Sequence, residues 1–351
     1  MILRAPATPS AATALRIAAL AAFDFESDAY GDLLARAGVT AFQAPGWLAA
    51  FYRHLAPALR AEPLIVVGRD GDGVLQLVVP LLRREAAGLT RIDYAFGGVC
   101  DYALPVAARG LDLAAATAGF LRALGPHDLL AIAPVRAGDA ETWQGLFGCA
   151  PEALSFGSHL AVSPGDSLAW PVHRPGSSRI AGLARKARRL AELGPLRLQI
   201  VAGPAAADAL RLAAELRRGR FADDPLQSVA GRAFYAEVAA RADGAARTYV
   251  MTCGDDTVGI LFGLVDGGCF RYLVLGCDYA RFGRFSPGMI LFDRVMAAWF
   301  GAGGTAFDFT IGDEPFKSEF GAVRAPMCRF LRPVTPQGAA LAEAIRAGLA
   351  A

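Results

Sequence analysis

Four charged side chains lie close together after a short apolar segment near the C-terminus. The segment Thr305–Thr310 is predicted to be a strand and contains Asp308, and the polar loop after it contains Asp313, Glu314 and Lys317. A carboxylate can accept a proton from a nucleophile, and an ammonium group can stabilise an oxyanion or bind an acidic substrate. Sheets of α/β proteins often bind ligands beyond a strand's end. The loop is a candidate catalytic site, and an ordinary acidic turn is the alternative.

A second candidate site precedes this strand, where a helix is predicted to begin. The strand Phe270–Leu275 and a loop lead to Ser286, which suits a helix N-cap, and Pro287, which suits the first helical position. The N–H groups and the dipole of a helix N-terminus attract anions. Gly288 would let a ligand approach the backbone closely. The same residues also form an ordinary helix start, so the spacing leaves both interpretations open.

Lysine is rare in this chain. The sequence has 35 basic residues, and only Lys186 and Lys317 are lysines. A lysine among so many arginines suggests a need for a compact ammonium group instead of a guanidinium fork. Lys186 lies on a helix predicted over Ser178–Leu193, whose basic face is either a phosphate-binding surface or a solvated helix face.

Length and composition predict a folded protein of two domains. The chain has 351 residues, of which 54% are hydrophobic and 19% charged, enough to bury substantial cores. The net charge of +2 argues against a protein held to nucleic acid by bulk charge, and we expect no DNA partner.

The six cysteines and four histidines show no metal-ligand spacing. We therefore predict no metal site, and free, mostly buried thiols in a reducing compartment. The Ala-rich segment Met1–Ala22 is interrupted by Arg16 and is too short to span a bilayer. We expect a soluble protein of the cytoplasm or the inner membrane face.

The two halves of the chain repeat one order of predicted elements: helical material, a β-hairpin, one or two strands, a helix and a strand. Such a repeat indicates a duplicated domain. A stretch between Pro164 and Pro175 is predicted to connect the halves. The further predicted strands are Leu64–Gly68, Val74–Leu82, Thr90–Phe96, Tyr102–Ala107, Asp128–Ala133, Leu196–Val201, Arg247–Cys253, Val258–Val265 and Cys328–Pro333, and the further helices are Phe42–Leu59, Leu111–Leu124, Ala140–Phe147, Ala205–Arg218, Val229–Arg241 and Gly338–Ala350.

This order of elements resembles the GNAT acyltransferase fold in its tandem, FemAB-like form, and the motifs resemble the BioF2-like or CelD-type acetyltransferases of bacterial polysaccharide synthesis. The C-terminal motif is similar to the F-K-x-x-F-G ending of Fem-type peptidyltransferases, whose lysine is implicated in catalysis. One departure is Phe316, where relatives often have a tyrosine. The motifs that carry the resemblance are Phe42-Gln43, Trp47-Leu48, Asp101-Tyr102, Leu183–Leu190, Ser286-Pro287-Gly288 with Leu291, Phe307-Asp308-Phe309, Gly312-Asp313-Glu314 and Phe316–Gly321.

The resemblance implies an α+β fold of two GNAT-like domains, residues 1–165 and 166–351, with mixed, mostly antiparallel sheets flanked by helices. It implies transfer of an acyl group from acyl-CoA, a co-substrate and not a resident cofactor, to an amine. An amino sugar or polysaccharide precursor is the expected acceptor, with membrane-associated polysaccharide machinery as a candidate partner.

The resemblance also suggests roles for individual residues. The acyl-CoA pyrophosphate would be held by Arg281, Arg284, Ser286, Gly288 and Met289. Asp308 would act as the base, with Asp313 and Glu314 behind it, and Lys317 would stabilise the oxyanion or bind the acceptor. The expected substrate-binding residues are Asp101, Tyr102, Tyr279 and Lys186, and the two tyrosines could also protonate the leaving thiolate.

Two other functions stay open. A Fem-type peptidyltransferase would take its acyl group from aminoacyl-tRNA, but such enzymes typically have a coiled-coil arm, and the sequence shows no long heptad helix pair. A degenerate acyltransferase fold could instead bind a nucleotide as a regulatory module.

Overall fold

A computed structural model describes residues 15–86, 88–162, 178–241 and 244–348. The strands are β1 (Arg16–Leu20), β2 (Glu62–Arg69), β3 (Leu75–Ala86), β4 (Leu89–Tyr94), β5 (Val106–Ala107), β6 (Leu129–Arg136), β7 (Glu152–Val162), β8 (Leu196–Val201), β9 (Ala246–Cys253), β10 (Asp256–Asp266), β11 (Cys269–Cys277), β12 (Ala306–Ile311) and β13 (Val323–Pro333). The helices are α1 (Asp28–Arg36), α2 (Pro45–Ala50), α3 (Ala56–Ala58), α4 (Leu113–Ala123), α5 (Ala140–Phe147), α6 (Ser178–Ala191), α7 (Pro204–Arg217), α8 (Val229–Ala240), α9 (Tyr279–Phe282), α10 (Pro287–Gly301), α11 (Phe316–Glu319) and α12 (Pro336–Arg346).

The strands form one continuous sheet in the order β1-β2-β3-β4-β6-β13-β7-β12-β11-β10-β9-β8, with β5 beside β3. Most neighbours are antiparallel, and the pairs β4/β6 and β11/β12 are parallel. The sheet is therefore mixed and mostly antiparallel, with helices packed against it, as the sequence predicts.

The two halves exchange strands at the centre of the sheet. Strand β13, the last of the chain, pairs with β6 of the first half, and β7 of the first half pairs with β12 of the second. Strands β7 and β13 also pair with each other. Each half is thus completed by a strand of the other half. The predicted boundary at residue 165 and the connecting stretch after Pro164 lie outside the described residues.

Each parallel pair is registered over only three residues before its strands separate. The last registered pair is Arg271 with Asp308 in the second half and Asp93 with Ala131 in the first. Beyond Arg271, the Tyr272 carbonyl accepts a hydrogen bond from the side chain of Thr310. These two openings lie at corresponding positions in the two halves.

Two large apolar cores lie against the sheet. One is packed mainly around the first half and helices α7 and α8, and the other lies under α6 and α10. Phe292 of α10 is central to the second core, with ring centroids at 4.9 Å from Tyr272, 5.2 Å from Phe309 and 5.3 Å from Phe316. This aromatic cluster fixes the start of α10 relative to the segment that contains Lys317.

Most predicted elements are present within a few residues of their predicted ends. Strands β1 and β7 and helix α1 were not predicted in these places. The predicted helix Phe42–Leu59 is wrong as one continuous α-helix, because Pro45 begins a new helix and the segment Phe51–Leu55 is a π-helical turn.

The strand predicted over Tyr102–Ala107 is also wrong, since only Val106–Ala107 pairs with a neighbour. In the residues before Val106, side chains form the hydrogen bonds to the backbone that a partner strand would otherwise form. The carbonyl of Tyr102 accepts a hydrogen bond from the Gln43 amide, and the carbonyl of Ala103 accepts one from the Trp143 indole. The buried backbone is thereby satisfied without a ladder.

All six cysteines are free, and five are buried, as predicted. Within the described ranges, no helix has both the length and the apolar character needed to cross a bilayer.

Candidate active site

Asp308 lies in the middle of β12, and its carboxylate is buried and hydrogen-bonded. Its Oδ1 accepts hydrogen bonds from the Tyr102 hydroxyl at 2.9 Å and from the Thr310 N–H at 2.8 Å, and its Oδ2 accepts one from Arg271 at 2.6 Å. Tyr102 belongs to the first half and Arg271 to the second. The Asp308 carboxylate therefore connects the two halves.

Arg271 continues the network. Its guanidinium also donates two hydrogen bonds to Asp266, whose carboxylate accepts a third from the Ala41 N–H. Burial lowers the pKa of Arg271, but the Asp266 hydrogen bond and the charge of Asp308 more than offset this and raise it above its ordinary value. Burial and the charge of Asp308 likewise raise the pKa of Tyr102. Arg271 stays charged and Tyr102 stays a donor. Sequence reasoning missed Arg271, whose only signal was its position inside an apolar strand.

Asp101 is the acidic group of the site that titrates near neutral pH. Loss of solvent raises the pKa of its carboxyl from 3.8 to about 7, and the charge of Asp308 acts in the same direction. The hydroxyl of Thr310 and the charge of Lys317 oppose the rise. Asp101 is half-buried. A carboxyl with this pKa can exchange protons with a substrate at physiological pH.

Lys317 of α11 is almost completely buried, with 1% of its surface exposed. Its ammonium donates to the carbonyls of Ile311 at 2.6 Å and Gly312 at 3.0 Å, and Glu314 lies at 2.9 Å. A fourth acceptor, the Thr310 carbonyl, lies at 3.4 Å, so the acceptors around Lys317 more than match the three hydrogens of its ammonium group. Lys317 therefore holds the turn after β12 in place and puts its charge near Asp101.

His159 of β7 is a further polar residue of this site, and sequence reasoning assigned it no role. Its Nδ1 is buried without a hydrogen-bond partner, and its Nε2 lies 3.7 Å from the Asp313 carboxylate. Burial, and then the charge of Lys317, lower the pKa of the imidazole. Asp313 itself is bound to Arg324 at 2.9 Å, which holds the pKa of this carboxyl below its ordinary value. The exposed Glu314 forms an ion pair with Lys317.

The start of α10 forms the second candidate site, which we call the amide mouth, defined by Ser286, Gly288 and Met289. Ser286 is the N-cap residue, with φ of 57° and ψ of 58°, and its side chain does not cap the helix. Instead, its hydroxyl accepts a hydrogen bond from the ammonium group of Lys186 at 2.7 Å. The positive N-terminal end of a helix dipole repels a nearby cation, and an anion bound between the two removes this repulsion. The arrangement therefore suits a phosphate.

Tyr279 borders the amide mouth. A Cβ on Gly288 would lie 2.6 Å from the Tyr279 hydroxyl, so this position accommodates only glycine without rearrangement. The guanidinium of Arg220 lies 4.0 Å above the Tyr279 ring. Burial and the neighbouring Cys277 raise the pKa of Tyr279 to about 12. Tyr279 is a proton donor at neutral pH.

The two arginines predicted to bind pyrophosphate differ in their contacts. Arg281 is exposed and forms a bidentate ion pair with Asp256, one arm at 2.8 Å, so it would have to leave this partner to reach a ligand. Arg284 is exposed, with its guanidinium 4.8 Å from the Phe285 ring. Met289 is half-buried against the second core.

The structure thus brings the predicted residues together in two groups. Asp101, Tyr102, Asp308 and Lys317 lie around the end of β12, and Lys186, Ser286, Gly288 and Tyr279 lie at the amide mouth. The phenylalanines next to Asp308 and Lys317 pack against Phe292 of α10, the helix that begins at the amide mouth. None of the described His, Cys, Asp and Glu side chains form a group that could hold a metal ion.

Comparisons with known proteins identify this architecture. The structure of FemX has a TM-score of 0.57 and 12% sequence identity, covering 88% of this chain and 96% of that chain. The structure of L-PGS from Bacillus licheniformis has a TM-score of 0.56 and 12% identity, covering 90% and 95%. A conserved protein of unknown function from Bacteroides thetaiotaomicron has a TM-score of 0.55 and 10% identity, covering 90% and 99%. The chain has a FemAB-like GNAT fold, which confirms the predicted fold class.

A family match adds the class of the second half. Residues 177–318 match the family described as Acetyltransferase (GNAT) domain. The matched segment includes α6, the amide mouth, Asp308 and Lys317. No curated protein matches the sequence.

The hydrogen bond from Tyr102 to Asp308 predicts that Tyr102→Phe destabilises the protein more than a Tyr→Phe substitution at a hydroxyl that donates to a neutral carbonyl. Tyr102→Phe removes a donor from a buried carboxylate and should lower the free energy of unfolding by about 1.5–3 kcal/mol. Tyr52→Phe is the matched control, since the Tyr52 hydroxyl donates to the neutral Leu81 carbonyl and should cost about 1 kcal/mol. Urea unfolding measures both, and equal losses would contradict the role given to the ionised Asp308.

The raised pKa of Asp101 predicts a pH-dependent stability. The folded protein keeps the Asp101 proton up to about pH 7, whereas the unfolded chain loses it near 3.8. The contribution of the Asp101 proton to the free energy of unfolding is therefore fully present below pH 3.8 and is lost as the pH rises to about 7. Asp101→Asn should remove this loss, so that the variant gains stability relative to the parent between pH 4 and 7.

Asp128→Asn is the control for this measurement, because hydrogen bonds from Thr335 and Thr90 lower the pKa of Asp128. The stability difference between this variant and the parent should be flat between about pH 5 and 8. Thermal melting across that range tests both, and an equally flat difference for Asp101→Asn would show that Asp101 titrates normally.

Proposed function

We propose that the protein transfers an acyl group from acyl-CoA to an amine. The observation that carries the proposal is the pairing of the Lys186 ammonium with Ser286 at the N-terminus of α10, inside the segment that matches the GNAT domain. A cation and a helix dipole together form a site for a phosphate-bearing donor. The titrating carboxyl of Asp101 supplies the second requirement, a base for the acceptor.

In this proposal the pyrophosphate of acyl-CoA binds the amide mouth. The N–H groups of Gly288 and Met289 belong to the first turn of α10 and have no carbonyl partner within it. Lys186 would hold a phosphate oxygen in place of the Ser286 hydroxyl. Arg284 is exposed next to the mouth and can add a second cation. Arg281 contributes only if it exchanges Asp256 for the ligand.

The thioester then lies along β11, where the strand separates from β12. The amine nitrogen attacks the thioester carbonyl carbon, a C–N bond forms and the C–S bond breaks. Asp101 accepts the proton that the amine loses, since its pKa of about 7 keeps it partly ionised at neutral pH. The CoA sulfur leaves as a thiolate and takes up a proton from water, and Tyr279, whose hydroxyl lies against Gly288, would contact the phosphate end of the donor. The acyl group ends as an amide.

Asp308 and Lys317 have distinct parts in this mechanism. The three hydrogen bonds to Asp308 occupy it, so we assign it to positioning Tyr102 and Thr310 and assign the base role to Asp101. The charge of Lys317 keeps the pKa of Asp101 from rising further and favours the oxyanion of the tetrahedral intermediate. Asp313 and Glu314 hold the ends of this loop through Arg324 and Lys317.

We propose an amino sugar or another saccharide amine as the acceptor, in envelope or exopolysaccharide synthesis on the cytoplasmic side of the membrane. The same fold is compatible with two other ligands, one an acyl donor and one a regulatory nucleotide. Aminoacyl-tRNA would suit a peptidyltransferase, and a cyclic dinucleotide would suit a regulatory module. Calorimetry with acetyl-CoA, a charged tRNA and a cyclic dinucleotide compares the three directly, and preferred binding of tRNA or the dinucleotide would replace the present proposal.

Lys186→Ala should weaken acetyl-CoA binding by about tenfold or more, because it removes a charge-assisted hydrogen bond to phosphate. Arg189→Ala is the matched control, since Arg189 is a more exposed cation of the same helix. The affinity of the Arg189→Ala variant for acetyl-CoA should change by less than about twofold. Isothermal calorimetry on both variants distinguishes a defined contact at Ser286 from a general effect of positive charge, which would weaken binding equally in the two.

Asp101→Asn should reduce acyl transfer by about a hundredfold or more, and Lys317→Ala should reduce it on the same scale. In Lys317→Ala, the loss of a nearby positive charge should also move the Asp101 inflection of the pH–rate profile above about 7. The acceptor for the assay comes from a mass-spectrometric product screen with acetyl-CoA. Rates within a few-fold of the parent would remove both residues from the mechanism.

A further inference from the structure

Arg220 lies in the loop that follows α7, close to the amide mouth. Its guanidinium lies 4.0 Å above the ring of Tyr279, and the hydroxyl of Tyr279 lies against Gly288 in the first turn of α10. Stacking on an aromatic ring holds a guanidinium in place while its N–H groups can still bind an anion. Arg220 is therefore a cation held next to the amide mouth.

The charge of Arg220 is available to a ligand. The side chain is exposed, and within the described ranges its guanidinium forms no ion pair and no hydrogen bond. Asp278 is the acidic residue just before Tyr279, but its carboxylate caps α9 by accepting a hydrogen bond from the Arg281 N–H at 3.0 Å. A bound anion would therefore give Arg220 the partner that the described part of the chain does not supply.

The loop that contains Arg220 is fixed to the strand that leads to the amide mouth. Arg217, the last residue of α7, donates hydrogen bonds to the Asp224 carboxylate at 2.8 Å and to the Leu275 carbonyl at 3.0 Å. Leu275 belongs to β11, and its side chain also lies against Gly288. The loop is thus attached to β11 through Arg217, which holds Arg220 beside the mouth.

Arg220 and Lys186 come from elements on opposite faces of the sheet. Helix α7, which precedes Arg220, packs on the first core, and α6, which carries Lys186, packs on the second. Neighbouring side chains of a strand point to opposite faces, and in β9 Val250 packs on the first core and Met251 on the second. The positive end of α10 therefore lies between two cations.

We propose that Arg220 binds one phosphate of the donor's diphosphate while Lys186 binds the other, so that the site selects an acyl donor with two linked phosphates. This inference rests on the proposed function, because it places acyl-CoA at the amide mouth. Each cation would form charge-assisted hydrogen bonds with phosphate oxygens, and the N–H groups of the first turn of α10 lie between them. A donor with a single phosphate, such as an acyl-phosphopantetheine, would keep the contact with Lys186 and leave Arg220 without a partner.

Calorimetry on the full chain tests this inference with acetyl-CoA, with acetyl-dephospho-CoA, which lacks the 3′-phosphate but keeps the diphosphate, and with acetyl-phosphopantetheine, which has one phosphate. Arg220→Gln should weaken binding of the two diphosphate thioesters by about tenfold, the loss expected for one charge-assisted hydrogen bond. The same variant should change binding of acetyl-phosphopantetheine by less than about twofold.

Arg218→Gln is the matched control, because Arg218 is an exposed cation of the same loop and its guanidinium does not lie over the Tyr279 ring. This variant should change binding of all three thioesters by less than about twofold. A loss in Arg220→Gln that is confined to acetyl-CoA would assign Arg220 to the 3′-phosphate and overturn the inference. Equal losses for all three thioesters, in a variant with the parental melting temperature, would overturn it as well.

Failure of the proposed function would give a different result. If the parent protein bound none of the three thioesters, acyl-CoA would not be its donor. Binding of acetyl-CoA with the same affinity to the parent and to Arg220→Gln would instead overturn only the role of Arg220.

Discussion

The buried carboxylate of Asp308 is the constraint on which the arrangement of the two halves depends. An ionised carboxylate is stable inside a protein only when charges and hydrogen bonds replace its water. Here those partners are Tyr102 from the first half, Arg271 from the second and the N–H of Thr310. The halves must keep one relative position for all three contacts to form together. The exchange of β7 and β13 imposes the same requirement on the backbone.

In the proposed mechanism, the residue that acts as the base and the residue that holds the two halves together are neighbours in the sequence. Tyr102 is held by Asp308, and the adjacent Asp101 is thereby kept at the seam, where burial raises its pKa to about 7. The corresponding openings in the sheet differ between the two halves. The second half has a helix N-terminus with Lys186 beside it and a buried hydrogen-bond network at Asp308. The first half has a largely apolar cavity beside Ala131.

The sequence predicts which residues are candidates for a site more readily than it predicts their contacts. Lys186 and Lys317 stand out by their rarity, and in the structure Lys186 lies at the amide mouth and Lys317 lies beside the turn after β12. Asp308 was predicted to be the base because it ends a strand, but a carboxylate's availability depends on what surrounds it in space. Arg271 lies 37 residues from Asp308 along the chain, and no local pattern indicates that it occupies that carboxylate.

The sequence by itself determined most helices and strands and the fold class, because periodicity, turn residues and helix starts act over a few neighbouring residues. It also determined the helix N-terminus after Ser286. Only the tertiary structure decided the strand exchange, the pKa of Asp101 and the cavity beside Ala131. Strand order depends on pairings between residues far apart, and desolvation and cavity volume depend on packing from several elements at once.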